Sequence, residues 1–163
     1  MIQFVEVRSD KDYQIALVLF REYASQIGVD LSFQNFNQEL LDIDIQYSKP
    51  QGVLYIAYDS KNQPVGCFGV RALEASICEL KRMYLKKAYR GLGLGGQLLV
   101  KAINVGRELG YEKMRLDTLP TMQTAIRLYQ KTGFYEIEAY CFNPIEGTKY
   151  FEIALKNSLP YIF

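Results

Sequence analysis

The chain contains no histidine among its 163 residues. This absence excludes the Ser-His and Cys-His pairs that activate many enzymatic nucleophiles, and it removes a common nitrogen ligand of metal ions. An acid or base in this protein must therefore be a carboxylate, a tyrosine, a lysine, a cysteine or water. The three cysteines, Cys67, Cys78 and Cys141, are too few and too scattered for a disulfide framework or a zinc site. We expect no metal cofactor.

A strong net charge and a long apolar run are also lacking. The net charge of +1 gives no electrostatic reason to expect nucleic acid or an anionic membrane as a partner. No apolar run approaches the roughly 20 residues that span a bilayer, and the segment from Met1 to Arg8 alternates like a strand rather than following the order of a signal peptide. We therefore expect a cytoplasmic protein without a nucleic-acid or membrane partner. The length of 163 residues suits one domain over residues 1–163, and the 49% hydrophobic content is ordinary for a globular protein.

The most informative feature present is the glycine-rich segment RGLGLGG at residues 90–96. Four glycines in six positions leave the backbone amides accessible, so a phosphate can approach them closely. The residues from Gln97 to Leu109 have the apolar spacing of a helix, which Gly110 would end. A glycine loop before a helix places free N–H groups and the positive end of the helix dipole together, which suits a pyrophosphate. The structural alternative is a tight turn that binds nothing.

The remaining pattern predicts a mixed α/β sheet of six or seven strands with about four helices. Three strands form an antiparallel meander, and a right-handed crossover through the helix after the glycine segment makes the next strand parallel to the third. The predicted strands are Ile2–Val7, Val53–Tyr58, Pro64–Ala72, Ser76–Leu85, Lys113–Asp117, Phe134–Phe142 and Lys149–Leu155. The other predicted helices are Asp12–Ile27, one from Phe33 to Tyr47, and one from Thr121, as its cap, to Thr132.

The glycine segment formally matches G-x-G-x-x-G, the fingerprint of dinucleotide-binding domains. Asp117 ends the next strand, where such domains place a ribose-binding acid. However, the preceding strand carries the charged residues Glu79, Lys81 and Arg82, and residues 86–90 separate it from the first glycine. Antiparallel strands also precede the unit. A nucleotide-dependent oxidoreductase is therefore disfavoured.

Three motifs in order resemble the GCN5-related N-acetyltransferase (GNAT) family. Arg90-x-x-Gly93-x-Gly95 resembles the family's Q/R-x-x-G-x-G/A motif, ELKRMYL at residues 79–85 resembles its fourth strand, and AIRLYQKTGF at residues 125–134 resembles its A-x-x-L-Y-x-x-x-G-F segment. The close similarity covers residues 79–134, and the flanking elements agree from Ile2 to Leu155. The chain departs from the common pattern at Lys87, where many members have proline, and at Met122, where many have asparagine.

The resemblance implies a GNAT-like acyl-CoA N-acyltransferase fold that binds acetyl-CoA between its fourth and fifth strands. It further implies transfer of the acetyl group to a primary amine by direct attack on the thioester, with the Met83 N–H as the oxyanion donor. The implied cofactor-binding residues are Met83, Tyr84 and Leu85 for the pantetheine arm, and Arg90, Gly91, Leu92, Gly93, Leu94, Gly95 and Gly96 for the pyrophosphate.

The resemblance also makes Tyr129 the candidate general acid that protonates the CoA thiolate. The alternative is a core aromatic residue on an amphipathic helix. Glu79 is the candidate base, acting directly or through water, because the alternation of a strand would place it on the same face as Met83. The alternative for Glu79 is a structural salt bridge with Lys81 or Arg82. An acetyl-cysteine route through Cys78 is disfavoured because no histidine is present to activate the thiol.

The acceptor is not identified by the sequence, which leaves small-molecule and protein amines open. By the resemblance, the acceptor is framed by residues 13–47 and 134–155. Two hypotheses apply to a set of four aromatic residues: they line an aromatic acceptor pocket, or they pack in the core. The four residues are Phe33, Phe36, Tyr140 and Tyr150. A homodimer formed through the last strand is a further hypothesis. The alternative function is a non-catalytic acyl-CoA-binding or interaction domain on the same fold.

Overall fold

Strand pairing along the chain produces one mixed sheet flanked by helices on both faces. The computed structural model describes residues 1–155, apart from the side chain of Phe33. The strands are β1 (Gln3–Glu6), β2 (Val53–Tyr58), β3 (Pro64–Glu74), β4 (Ile77–Leu85), β5 (Lys113–Thr118), β6 (Tyr135–Ile137) and β7 (Lys149–Ala154). The α-helices are α1 (Asp10–Ile27), α2 (Phe36–Leu41), α3 (Ile43–Gln46), α4 (Leu94–Glu108) and α5 (Gln123–Thr132), with 3₁₀ turns at Ser32–Gln34 and Lys87–Tyr89.

The strand order is β1-β2-β3-β4-β5-β7-β6. The first four strands pair antiparallel in sequence, β4 and β5 pair in parallel across α4, and β7 pairs antiparallel with both β5 and β6. The predicted mixed sheet with its meander and parallel crossover is therefore confirmed.

Three predicted elements are wrong in extent. The single helix expected from Phe33 to Tyr47 is instead a 3₁₀ turn followed by α2 and α3. Asn35 adopts a left-handed conformation between the first two, and Asp42 is non-helical between the last two. Short polar side chains of this kind stabilise turns at the expense of a continuous helix. The strand expected to run to Phe142 ends at Ile137, and α5 begins at Gln123 without a capping side chain from Thr121.

Each face of the sheet has its own apolar core. On one face α4 and α5 pack against the sheet through residues such as Leu98, Ile103 and Ile126. On the other face α1 and the α3 region contribute Leu19, Phe20 and Tyr47 among others. The Tyr47 ring lies so close to the sheet that a Cβ on Gly69 would approach its Cε1 to 2.4 Å. Only glycine at this position permits that contact.

Strand β4 contains a bulge at Arg82, which corrects the predicted alternation. The register against β3 shifts between Cys67 and Gly69, and Arg82 has a φ of 56°. Because of the extra residue, Lys81 and Arg82 both contact Gln34 on the α1–α2 face. Met83 and Leu85 instead pack against the core beneath α4. Glu79 and Met83 therefore do not share a face, contrary to the expectation from simple strand parity.

Candidate active site

Strands β4 and β5 separate part-way along their length. Their pairing covers only Ile77–Glu79 against Lys113–Arg115, although β4 continues to Leu85 and β5 to Thr118. A cavity lies in the resulting opening and is lined by both strands, the start of α5, and α1 with the turn that follows it. The unpaired edge of β4 in this opening includes Met83, which lines the cavity. An extended ligand could therefore add its own hydrogen bonds to this edge.

The glycine segment leads directly into α4 and leaves its N-terminus open. Gly91 and Gly93 have φ values of 79° and 78°, which glycine adopts without strain. A Cβ on either residue would project into open space. No side chain caps α4, and the amides of residues 91–96 donate to no acceptor in residues 1–155. These donors and the positive end of the helix dipole fit a pyrophosphate group.

Arg90 lies at the junction of β4 and the glycine segment. Its Nε donates to the Leu85 carbonyl at 2.8 Å, and its Nη2 donates to Gln26 Oε1 at 2.7 Å. Nη1 has no hydrogen-bond partner in the described part of the chain, so one guanidinium nitrogen is available for an anion. The Leu85 carbonyl, in contrast, is already engaged by Arg90.

Tyr129 projects from α5 into the wall of the same cavity. Its ring is 7% exposed and packs edge-on against Phe134, with 5.7 Å between the ring centroids. The hydroxyl has no hydrogen-bond partner among the described side chains and backbone groups. Burial raises the pKa of Tyr129 above its ordinary value, so the hydroxyl keeps its proton at neutral pH. The residue therefore combines the packing of a core aromatic with a free donor at the cavity.

Glu79 lies on the face of β4 opposite to Met83 and is 4% exposed. Its Oε1 accepts from Arg71 Nε at 3.2 Å, and its Oε2 accepts from the Tyr140 hydroxyl at 2.7 Å. The ion pair is thus with Arg71, not with Lys81 or Arg82. Glu79 borders a second cavity beside α3, and the structure does not bring it to the cavity that Met83 and Tyr129 line.

The nearest charged groups to the cavity come from β4 and β5. Lys81 and Asp117 both line it, and Lys81 Nζ lies 4.0 Å from Asp117 Oδ1. Burial lowers the pKa of Lys81, and the positive charges of Arg82 and Arg71 act in the same direction. Sequence reasoning considered Asp117 only as a ribose ligand and Lys81 only as a partner for Glu79. Their spacing in the chain gives no sign that they meet.

A buried ion pair between Arg82 and Glu39 connects β4 to α2 next to the cavity. Arg82 Nε and Nη2 donate to the two oxygens of Glu39 at 2.9 and 3.0 Å. Burial opposes ionisation of Glu39, but the hydrogen bonds and charge of Arg82 outweigh it and hold the pKa of Glu39 below its ordinary value. The pair fixes α2 to the bulge in β4. No local pattern in the sequence predicts this contact.

The aromatic residues considered for the acceptor pocket separate into different roles. Tyr140 and Tyr150 contact each other edge-on at 5.4 Å between centroids. Phe36 packs under the Arg82 guanidinium at 5.1 Å. The side chain of Phe33 lies outside the described residues. The structure therefore does not gather these residues around the cavity between β4 and β5.

Comparison with known proteins identifies the family. The sequence profile of the family described as "Acetyltransferase (GNAT) family" matches residues 17–134. The chain belongs to the GNAT family. An uncharacterized N-acetyltransferase of Schizosaccharomyces pombe is 36% identical over 157 residues, which cover 96% of each chain. The uncharacterized N-acetyltransferase YjgM of Escherichia coli is 31% identical over 125 residues, 74% of each chain.

Solved GNAT structures share the fold. An acetyltransferase of the GNAT family from Staphylococcus aureus has a TM-score of 0.78 and 23% identity, over 96% of this chain and 100% of the other. A GNAT acetyltransferase from Elizabethkingia anophelis with acetyl-CoA bound has a TM-score of 0.67 and 20% identity, over 94% and 97%. The family predicted from the three motifs is thus confirmed, and acetyl transfer is the activity that the relatives' names share. Among residues 1–155, no helix is both long and apolar enough to cross a membrane.

Proposed function

We propose that this GNAT protein is an acetyl-CoA-dependent N-acetyltransferase that acetylates a primary amine by direct attack on the thioester. The observation that carries the proposal is the cavity where β4 and β5 separate, because it combines an unpaired strand edge at Met83 with the free hydroxyl of Tyr129. The open amides at the start of α4 supply the anion site that a CoA pyrophosphate needs. The acetyl-CoA bound to the Elizabethkingia anophelis neighbour supports the choice of cofactor.

In the proposed complex, backbone groups of residues 83–85 pair with the pantetheine arm. The amides of residues 91–96 hold the pyrophosphate, with Arg90 Nη1 beside it. Fixed main-chain donors lose no side-chain entropy on binding, which favours affinity. Pairing at the Leu85 carbonyl requires that Arg90 Nε release it, so we expect the Arg90 side chain to turn when the cofactor binds.

The proposed transfer has two chemical steps, addition of the amine and loss of the thiolate. The neutral amine attacks the thioester carbon, so that a C–N bond forms and the carbonyl electrons move to oxygen, where the Met83 N–H stabilises them. The intermediate collapses with cleavage of the C–S bond, and the thiolate takes the proton of Tyr129. An ammonium acceptor loses two protons in total. One restores Tyr129, and the other passes to a base and then to solvent.

Glu79 remains our proposed base, acting at a distance through water. Both of its oxygens already accept hydrogen bonds, from Arg71 and from Tyr140. Glu79 does not line the cavity of Met83 and Tyr129, so we propose that the proton reaches it through a relay, in which the Tyr140 hydroxyl is the group in contact with Glu79. We expect Glu79→Gln to lower kcat at neutral pH and to lose less at alkaline pH, where the amine is already neutral.

Calorimetry with acetyl-CoA, CoA and NAD tests the cofactor, and thiol release with a panel of amines tests the reaction. We expect acetyl-CoA and CoA to bind, NAD to give no heat, and thiol to appear in proportion to acetylated amine. Binding of NAD without CoA would refute the proposal. Binding of acetyl-CoA without thiol release from any amine would favour a non-catalytic acyl-CoA-binding domain.

A further inference from the structure

Buried ion pairs on the α1–α2 face of the sheet differ in how closely their charged atoms approach each other. Three pairs lie within hydrogen-bond distance, at 2.9, 3.2 and 2.7 Å. Arg71 Nη1 also lies 3.7 Å from Glu39 Oε1, but each of these groups has a closer charged partner. In contrast, Lys81 Nζ and Asp117 Oδ1 are 4.0 Å apart although the side chains are only 6% and 9% exposed. The three close pairs are Arg82–Glu39, Arg71–Glu79 and Arg115–Glu152.

Both members of the loose pair have only long contacts. Lys81 Nζ lies 3.4 Å from Gln34 Oε1. Asp117 Oδ2 lies 3.4 Å from both Gln34 Nε2 and Asn143 Nδ2. Ammonium–carboxylate hydrogen bonds are normally about 2.7–2.9 Å, and a buried charge without strong partners is costly. Within residues 1–155, Lys81 and Asp117 therefore have donor and acceptor capacity that the protein does not use.

This capacity faces the cavity of the proposed reaction. Lys81, Asp117, Gln34 and Asn143 all line the opening that Met83 and Tyr129 line. The close Arg71–Glu79 pair borders a different cavity. The unused charges are thus located where an acceptor must approach the thioester.

We propose that Lys81 and Asp117 bind the acceptor, and that the acceptor is an α-amino acid. This inference rests on the proposed function and specifies its substrate class. The carboxylate of the amino acid accepts from Lys81, and its ammonium group donates to Asp117. The two groups of the substrate sit on one carbon, so with the 4.0 Å gap between the protein groups they complete a ring of four alternating charges. A simple amine would donate to Asp117 but would offer no carboxylate to Lys81.

The two side chains have different roles in this scheme. Lys81 selects for the carboxylate and so governs affinity for the acceptor. Asp117 positions the nitrogen that must lose its protons before and after the C–N bond forms. Gln34 contacts both groups in the absence of the amino acid.

The test compares each common α-amino acid with the amine that lacks its carboxylate, by initial rates of thiol release. We expect kcat/KM to be about 10- to 100-fold higher for at least one amino acid than for its amine, the range for a hydrogen bond to a charged group. Lys81→Met should remove this preference by raising KM for the amino acid more than KM for the amine. Lys61→Met, in an exposed turn, should leave the preference intact. Asp117→Asn should weaken the binding of both the amino acid and the amine.

A binding measurement keeps the proposal falsifiable if a variant is inactive. Calorimetry of the amino acid against the CoA-saturated protein should show binding to the wild type and a loss of at least tenfold in Lys81→Met, with CoA affinity and melting temperature showing whether the variant is folded. If Lys81→Met misfolds, Lys81→Arg should keep the preference. Equal or faster turnover of the simple amines would refute the acceptor class and leave the proposed function intact. Absence of thiol release with every acceptor would instead count against the proposed function, and absence of amino acid binding would also overturn the inference.

Discussion

Replacing Tyr129 by phenylalanine removes one hydroxyl and keeps every ring contact. The ring packs against Phe134 and Phe151, with centroids 5.7 and 6.3 Å away. The hydroxyl has no hydrogen-bond partner in the described chain, so its loss breaks no internal bond. We therefore expect the free energy of unfolding to change by less than about 1 kcal/mol. The two hypotheses for Tyr129, a core aromatic residue and a general acid, therefore predict the same stability for Tyr129→Phe but different activity.

The expected loss of activity is large because the thiolate leaves without its proton donor. Removing a general acid typically lowers turnover by about 100- to 10,000-fold, which corresponds to roughly 3–5 kcal/mol in the barrier. Affinity for acetyl-CoA should stay within about twofold, since the hydroxyl is proposed to act on the departing thiolate. The matched control is Tyr111→Phe, whose hydroxyl donates to the Gln51 carbonyl at 2.6 Å. That variant should lose about 1 kcal/mol of stability and keep its turnover.

Urea unfolding, acetyl-CoA calorimetry and thiol release from the two variants provide the measurements. Unchanged turnover in Tyr129→Phe would show that Tyr129 is only a core residue and would remove it from the mechanism. The pH profile offers a second check. Because burial raises the pKa of Tyr129, the hydroxyl stays protonated through neutral pH, and no decline in rate from its ionisation is expected below about pH 10.

Three further predictions follow from the glycine segment and the buried polar groups. Gly93→Val should weaken acetyl-CoA binding at least about tenfold. Gly110 also has a positive φ, of 91° against 78° for Gly93, and open surroundings, so Gly110→Val should show only the backbone strain of about 1–2 kcal/mol; calorimetry separates the two. Glu39→Gln should destabilise the fold by about 3–5 kcal/mol because Arg82 keeps a buried charge, and the double change Glu39→Met with Arg82→Met should recover most of it. The lowered pKa of Glu39 means that its contribution is present above about pH 4.5 and is lost as the pH falls through the folded value, so melting temperatures of Glu39→Gln should depend less on acid pH. Tyr47→Phe should be neutral or stabilising by about 1 kcal/mol, since that hydroxyl is buried without a partner in the described residues.

The local parts of the site could be read from the sequence with good accuracy. The glycine segment and α4 lie where the pattern predicted, although the helix begins at Leu94 rather than Gln97. The meander and the parallel crossover also follow from periodicity and the rules of connection. The long helix predicted after Phe33 was wrong because Asn35 and Asp42 interrupt it, and periodicity alone does not register such interruptions.

The face of each β4 side chain could not be read from the sequence. A strict alternation placed Glu79 beside Met83, but the bulge at Arg82 reverses the order beyond it. A bulge depends on the register against β3, which involves residues far away in the chain. The same reason explains why the contacts of Glu79 with Arg71 and Tyr140 were not foreseen.

The sequence by itself determined the acids and bases that this protein can use and the position of its proposed anion site. The absence of histidine limits the acids and bases, and four glycines before a helix expose amides through local backbone geometry alone. Only the tertiary structure decided which charged groups meet, because the pairing of Lys81 with Asp117 and of Arg82 with Glu39 joins separate elements across the sheet. Burial then set the interaction energy of these pairs, because the attraction between two charges and the cost of removing them from water both depend on how much water surrounds them. Water is excluded from these positions only when the whole chain has folded.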